Sequence, residues 1–260
     1  MDLDGRWEIP HSDLALPDDE VHVWRAALER SPDVVNRLAQ TLLPDELTRA
    51  ERFHFARDRR RFIVSHGVLR AVLCRYLRVD PRQVRFRYGA RGKPHLAKEM
   101  GNDAFRFNLA HSHELAVYAF TRGREIGIDL EYVRPLAGAE EIADRFFSAR
   151  ENSEFCSLPE SLKLEAFYNC WTRKEAYLKA TGDGLSRALD TFDVSLLPGA
   201  PAALLRVEGD QAEAARWSLR TLAPGPGYVA ALAVEGDGWR MVCWEWHVPD
   251  ESIAKDRRVD

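Results

Sequence analysis

The 260-residue chain reads as a mixed α and β protein, and three patterns say so. Residues 126–131, Ile-Gly-Ile-Asp-Leu-Glu, alternate between an apolar face and a small or acidic one, as a strand does. Residues 162–180 set Leu164, Phe167, Tyr168, Trp171 and Leu178 at helical spacing. Short apolar alternations bounded by turn residues recur before and after both segments.

In chain order, residues 1–19 are polar and proline-punctuated, which predicts an irregular arm. Val21 to Trp24 alternates like a strand, and Ser31-Pro32 supplies a cap and first-turn pair for a helix. Phe62, Ile63, Val68, Leu69, Val72, Leu73 and Tyr76 form the stripe of a long helix over 59–77. Strands are expected near 84–88, 105–109 and 115–121. Arg122-Gly123-Arg124 is a turn, and it separates an N-terminal half (20–124) from a C-terminal half (125–249). The second half has a similar make-up, with a strand, helices over 139–147 and 162–180, then strands near 192–196, 204–207, 218–222, 228–234 and 239–246. The tryptophans at 217, 239, 244 and 246 are expected in the core. Residues 250–260 are charged and expected to fray. The length suits one large domain or two small ones.

A formal net charge of −4 argues against general affinity for nucleic acid or membrane. No apolar run is long enough to span a bilayer, and Met1-Asp2-Leu3-Asp4 lacks the features of a signal peptide. Cys74, Cys156, Cys170 and Cys243 show no metal-ligand spacing, so they read as buried, reduced thiols of a cytoplasmic protein.

The chemistry lies in two places. Glu175 interrupts the apolar stripe of its helix, and a buried carboxylate needs a cationic partner or a metal. The bland alternative is an ordinary exposed i,i+4 pair with Lys179. Asp129 and Glu131 leave their strand on one face, which is either a solvated edge or half of a hard-oxygen site. Gly127 shares that face and leaves room for a close approach. Three carboxylates together suit Mg²⁺, which completes its shell with water and phosphate. Lys174 and Lys179 flank Glu175 and supply positive charge for such phosphates.

These residues carry a resemblance. Gly127-Ile128-Asp129-Leu130-Glu131, followed by Trp171-Thr172-Arg173-Lys174-Glu175-Ala176-Tyr177-Leu178-Lys179, resembles the paired signature of the 4′-phosphopantetheinyl transferases. Gly92-Lys93-Pro94 and Phe107-Asn108-Leu109-Ala110-His111-Ser112 resemble two further blocks of the surfactin-type branch, Ala110 standing where serine is usual. Phe146-Phe147-Ser148 also fits.

The resemblance implies an α+β fold of two pseudo-duplicated halves, each a small antiparallel sheet packed on a long helix, with the active site between them. It implies a double-length monomer that moves the 4′-phosphopantetheine of coenzyme A onto a serine of an apo acyl or peptidyl carrier protein, releasing 3′,5′-ADP. Asp129, Glu131 and Glu175 would hold Mg²⁺, and Glu175 or a metal-bound water would be the base. Lys179 would steady the leaving group. Arg49, Arg61, Lys93, Pro94, His111, Ser112, Lys174 and Lys179 would contact coenzyme A, although Glu46 stands where a relative can have a second basic residue. Phe146, Phe147, Phe155 and Leu158 are candidates for the strip on which the carrier docks. The rival readings are a noncatalytic coenzyme A or carrier-binding module, and another Mg²⁺-dependent phosphotransferase. The intact acidic set opposes the first, and the lack of a Walker-type glycine loop weakens the second.

Overall fold

A computed structural model describes residues 6–10 and 14–248. The N-terminal half is built on the helix α3 (Ala56–Leu77), preceded by β1 (Trp7–Glu8), β2 (Glu20–Ala27), α1 (Pro32–Ala39) and α2 (Pro44–Glu51). It continues with β3 (Phe86–Tyr88), β4 (Pro94–Leu96), β5 (Phe105–Ser112) and β6 (Leu115–Arg122). The second half runs β7 (Ile126–Tyr132), α4 (Ala139–Phe146), α5 (Ala149–Cys156), α6 (Glu160–Thr181), β8 (Phe192–Val194), β9 (Leu204–Val207), β10 (Trp217–Leu222), β11 (Tyr228–Glu235) and β12 (Arg240–Glu245).

Strand alternation explains the layering. On β2, Trp24 and Ala26 point to α3, where they join Val64, Val68 and Val72, while Val21 and Val23 point the other way. There they meet Ile126, Ile128 and Leu130 of β7 and Leu232 and Val234 of β11. The opposite face of that second sheet, including Ala231 and Ala233, packs on α6 through Phe167, Ala176, Tyr177 and Ala180. Two sheets therefore lie face to face, with one long helix outside each.

The expected α+β class holds, with corrections to its parts. The C-terminal sheet is small and antiparallel, in the order β10-β11-β7. The N-terminal sheet is mixed and five-stranded, β1-β12-β2-β6-β5, with β1 and β12 parallel to their neighbours. Strand β12, expected in the second half, thus completes the sheet of the first. Trp7-Glu8 makes a strand inside the expected irregular arm, and the expected fraying over 250–260 lies outside the described residues. Trp217 and Trp246 are buried and Trp244 packs partly into the core, as expected. Among the described residues no cysteine forms a disulfide, but Cys74 is only partly buried and Cys156 is exposed. Among the described residues no helix is long and apolar enough to cross a membrane.

Candidate active site

Glycine decides how close β7 comes to α6. A Cβ on Gly127 would lie 2.1 Å from the Ala176 carbonyl oxygen and 2.3 Å from the Ala180 nitrogen. What approaches Gly127 is therefore the helix backbone itself. Asp129 and Glu131 stand on the same face of β7 as Gly127, and so look toward the helix that carries Glu175 and Lys179. The two acidic blocks of the sequence meet across this contact.

Asp129 is 6% exposed. Its Oδ1 accepts a hydrogen bond from Lys179 Nζ at 2.6 Å, while its Oδ2 is buried without a partner. Glu131 is half-buried, and its Oε2 accepts from Ser112 Oγ at 3.0 Å. Ser112 Oγ in turn accepts from the Tyr132 amide at 3.1 Å. Glu175 is also half-buried and has no hydrogen-bond partner among the described residues. Burial, followed by the charge of Asp129, pushes both Glu131 and Glu175 above the usual carboxylate range.

Among the described residues, no three Asp, Glu, His or Cys side chains already stand close enough to share one ion. On the Asp129 side, the Lys179 ammonium occupies one oxygen. The donors nevertheless fit Mg²⁺. They are hard carboxylate oxygens, one is a buried orphan, and the ion needs only one or two carboxylates beside water and substrate phosphate.

A cleft of about 380 Å³ opens beside Lys179, lined by Arg49, Phe53, Phe62, His66, Phe86, Tyr88, Gly92, Pro94, Ala110 and His111. It joins aromatic faces to cationic groups. The Arg49 guanidinium lies over Phe62 and Tyr88 and donates to the Tyr88 hydroxyl at 3.3 Å. His66 stacks on Phe62, and burial lowers its pKa to about 3, so it lines the cleft as a neutral ring. His111 has open surface, yet protein crowds its ring. Desolvation first, then the charges of Lys179 and Arg61, lower its pKa.

The other expected ligands divide. Pro94 lies at the cleft, whereas Ser112 faces Glu131. Arg61 donates to Glu29 at 2.9 Å. Lys93 Nζ is held by protein oxygens. Lys174 corrects the reading. It is 1% exposed and pairs with Glu151 at 2.7 Å, with its ammonium also bonded to the Leu189 and Phe192 carbonyls. It anchors α6 on its inner side, turned away from the carboxylates. Glu46 is likewise structural. It caps α2 through the Leu43 amide and pairs with fully buried Arg70 at 2.7 Å. Of the suggested docking strip, Phe147 and Phe155 are core residues at 3% and 0% exposure. Ser148 caps α5 by bonding the Glu151 amide.

Sequence reading missed Asn108, whose side-chain oxygen accepts from the Ile128 amide at 3.0 Å and sews β5 to β7. The signal available in the sequence is an asparagine between the apolar Phe107 and Leu109 of a strand. Ala110, in place of the usual serine, is 6% exposed and packs into the core between the sheets.

Comparison with known proteins identifies the family. A family model described as "4′-phosphopantetheinyl transferase, N-terminal" matches residues 26–122. One described as "4′-phosphopantetheinyl transferase superfamily" matches residues 125–233. The 4′-phosphopantetheinyl transferase HetI of Nostoc sp. (strain PCC 7120) is 44% identical over 94% of this chain and 100% of its own. The 4′-phosphopantetheinyl transferase Sfp of Bacillus subtilis (strain 168) is 33% identical, over 62% of this chain and 69% of its own. Psf-1 of Bacillus pumilus, of the same name, is 34% identical over 60% and 64%. Two successive family matches and a relative aligned along nearly its whole length place the chain in the 4′-phosphopantetheinyl transferase superfamily, in its double-length, Sfp-like branch.

Proposed function

We propose that this transferase moves the 4′-phosphopantetheine of coenzyme A to a serine of an apo acyl or peptidyl carrier protein in a Mg²⁺-dependent reaction. The observation that carries the reading is the buried, unpartnered Asp129 Oδ2 beside Glu131, Glu175 and Lys179, at the edge of an aromatic and basic cleft. Asp129, Glu131 and Glu175 are the residues to hold the ion. When bound, it would offset negative charge on the pyrophosphate oxygens.

The serine oxygen forms a bond to the β-phosphorus, and the bond from that phosphorus to the bridging oxygen breaks, releasing 3′,5′-ADP. Glu175, or a water it orients, would take the serine proton. Glu175 is unengaged, and its raised pKa brings it closer to the working range of a general base. Lys179 sits between the carboxylates and the cleft, so its ammonium can leave Asp129 for the phosphate of the departing nucleotide. Arg49 and His111 bring polar contacts to the cleft, and the exposed Tyr88 brings a flat face suited to a base. Both sides of the site come from one chain, which supports a monomer. Cysteines without a disulfide among the described residues suit the cytoplasm.

The test is intact-protein mass spectrometry of apo carrier domains incubated with the enzyme, coenzyme A and Mg²⁺, with EDTA in parallel. A gain of one phosphopantetheine that EDTA abolishes is expected. A gain indifferent to EDTA would refute the metal assignment, and no gain with bound coenzyme A would favour a noncatalytic module.

A further inference from the structure

Lys93 has no donor left for a ligand. Its ammonium lies 2.7 Å from the Ala180 carbonyl, 3.2 Å from the Ile126 carbonyl and 3.1 Å from Glu125 Oε2, and an ammonium carries three donors. Its side chain is 9% exposed. The stem passes Gly182, where an added Cβ would come 3.6 Å from Lys93 Cδ. Ala180 belongs to the last turn of α6, whose carbonyls lack helical partners. Ile126 is the first residue of β7. One side chain from the first half therefore fastens the start of the strand bearing Asp129 and Glu131 to the end of the helix bearing Glu175 and Lys179.

The same short loop serves the cleft. Gly92 and Pro94, on either side of Lys93, form part of its wall together with Lys179. A second hollow between Gly92, Pro94, Leu178, Lys179 and Gly182 runs along the seam. Loop, strand and helix thus share one junction at Lys93.

We propose that Lys93 is a positioning residue. It locks the cleft wall to the two elements that carry the reacting groups, so that a nucleotide seated against Gly92 and Pro94 is held in register with Glu175 and Lys179, and it does not itself touch that nucleotide. The proposal rests on the transferase reading above. It differs from the coenzyme A contact that the Gly-Lys-Pro resemblance implies for Lys93.

The test uses the full-length protein with Lys93→Met, Lys93→Arg, Glu125→Gln and the Lys93→Met/Glu125→Gln double variant. Transfer rates are measured at saturating coenzyme A, and affinities for coenzyme A and 3′-dephospho-coenzyme A by calorimetry. Since misplacement by about 1 Å can cost about 10²-fold, Lys93→Met should lower kcat by roughly 10- to 100-fold. Its ratio of the two affinities should match wild type, and Lys93→Arg should recover part of kcat. The double variant should fall short of the summed single effects, because the two side chains act as one unit.

Unchanged kcat in Lys93→Met, or an affinity ratio collapsing toward one, would overturn the proposal. Should Lys93→Met fail to fold, Glu125→Gln and Lys93→Arg carry the same comparisons. An inactive wild type would overturn the functional reading alone. The lock is then judged by amide hydrogen exchange at 178–182, which Lys93→Met should accelerate; wild-type protection there would refute it.

Discussion

Replacing Gly127 by alanine tests the central contact most directly. The added methyl group would sit 2.1 Å from a carbonyl oxygen and 2.3 Å from an amide nitrogen of α6, and 2.9 Å from the Ala180 Cα. All three are backbone atoms, so no side chain can rotate aside. Real contacts of this kind exceed 3.0 Å, and β7 and α6 must therefore separate by roughly 1 Å in a packed interior that has little slack. Overpacking of this sort costs about 1–3 kcal/mol. In a protein of this size that lowers Tm by roughly 2–12 °C. The larger effect should be catalytic, because the same shift pulls Asp129 and Glu131 away from Glu175 and Lys179. A displacement near 1 Å can cost about 10²-fold in rate. Calorimetric unfolding and initial rates of carrier modification read the two effects separately. A Gly127→Ala variant with wild-type rate and wild-type Tm would mean that β7 and α6 are not held as described.

Three further outcomes are expected. Glu175→Gln should abolish transfer yet raise the Tm of the metal-free protein at neutral pH. The folded protein holds Glu175 above its unfolded pKa, so the native state binds more protons between those two values and loses stability as pH rises through them. A variant less stable than wild type at neutral pH, but not at acid pH, would reverse the sign and refute the argument. Lys174→Met leaves Glu151 buried without its cation, and should cost about 3–5 kcal/mol in denaturant unfolding. A lysine that only touched phosphate would cost activity and almost no stability. Lys179→Met should slow transfer by roughly 10²-fold, the order expected for losing one preorganised electrostatic contact, and a variant within twofold of wild type would remove Lys179 from the reaction.

Much of the acidic site is legible in the sequence because it follows from period. A two-residue alternation puts Asp129 and Glu131 on one face, and a helical stripe makes Glu175 conspicuous. What period leaves open is the partner of each face. Lys174 is adjacent to Glu175 in sequence, but one helical step turns it toward Glu151 on α5, and no local spacing signals that pairing. Lys93 presents the same difficulty. Its Gly-Lys-Pro turn suggests a nucleotide contact, while its three acceptors lie at Glu125, Ile126 and Ala180. Phe147 and Phe155 show the limit for apolar residues, since an aromatic side chain reads the same whether it faces a partner or the core. Helix α2 is hard to read because its core contacts fall on Glu46 and Ala50, of which one is charged.

The pairing of β12 with β2 also bears on how the chain is made. Glu20 and Arg240, which form an ion pair at one end of that ladder, are 220 residues apart. At ribosomal speeds of about 5–20 residues per second, β2 waits roughly 10–45 s for its partner. Through that interval the N-terminal sheet exposes an unpaired edge, of the kind that recruits stray strands. A nascent chain with α3, β5 and β6 complete is still an unfinished sheet, and its last piece arrives only after α6 has been synthesised. Cotranslational assembly of this protein therefore runs back on itself, with the end of the second half closing the first.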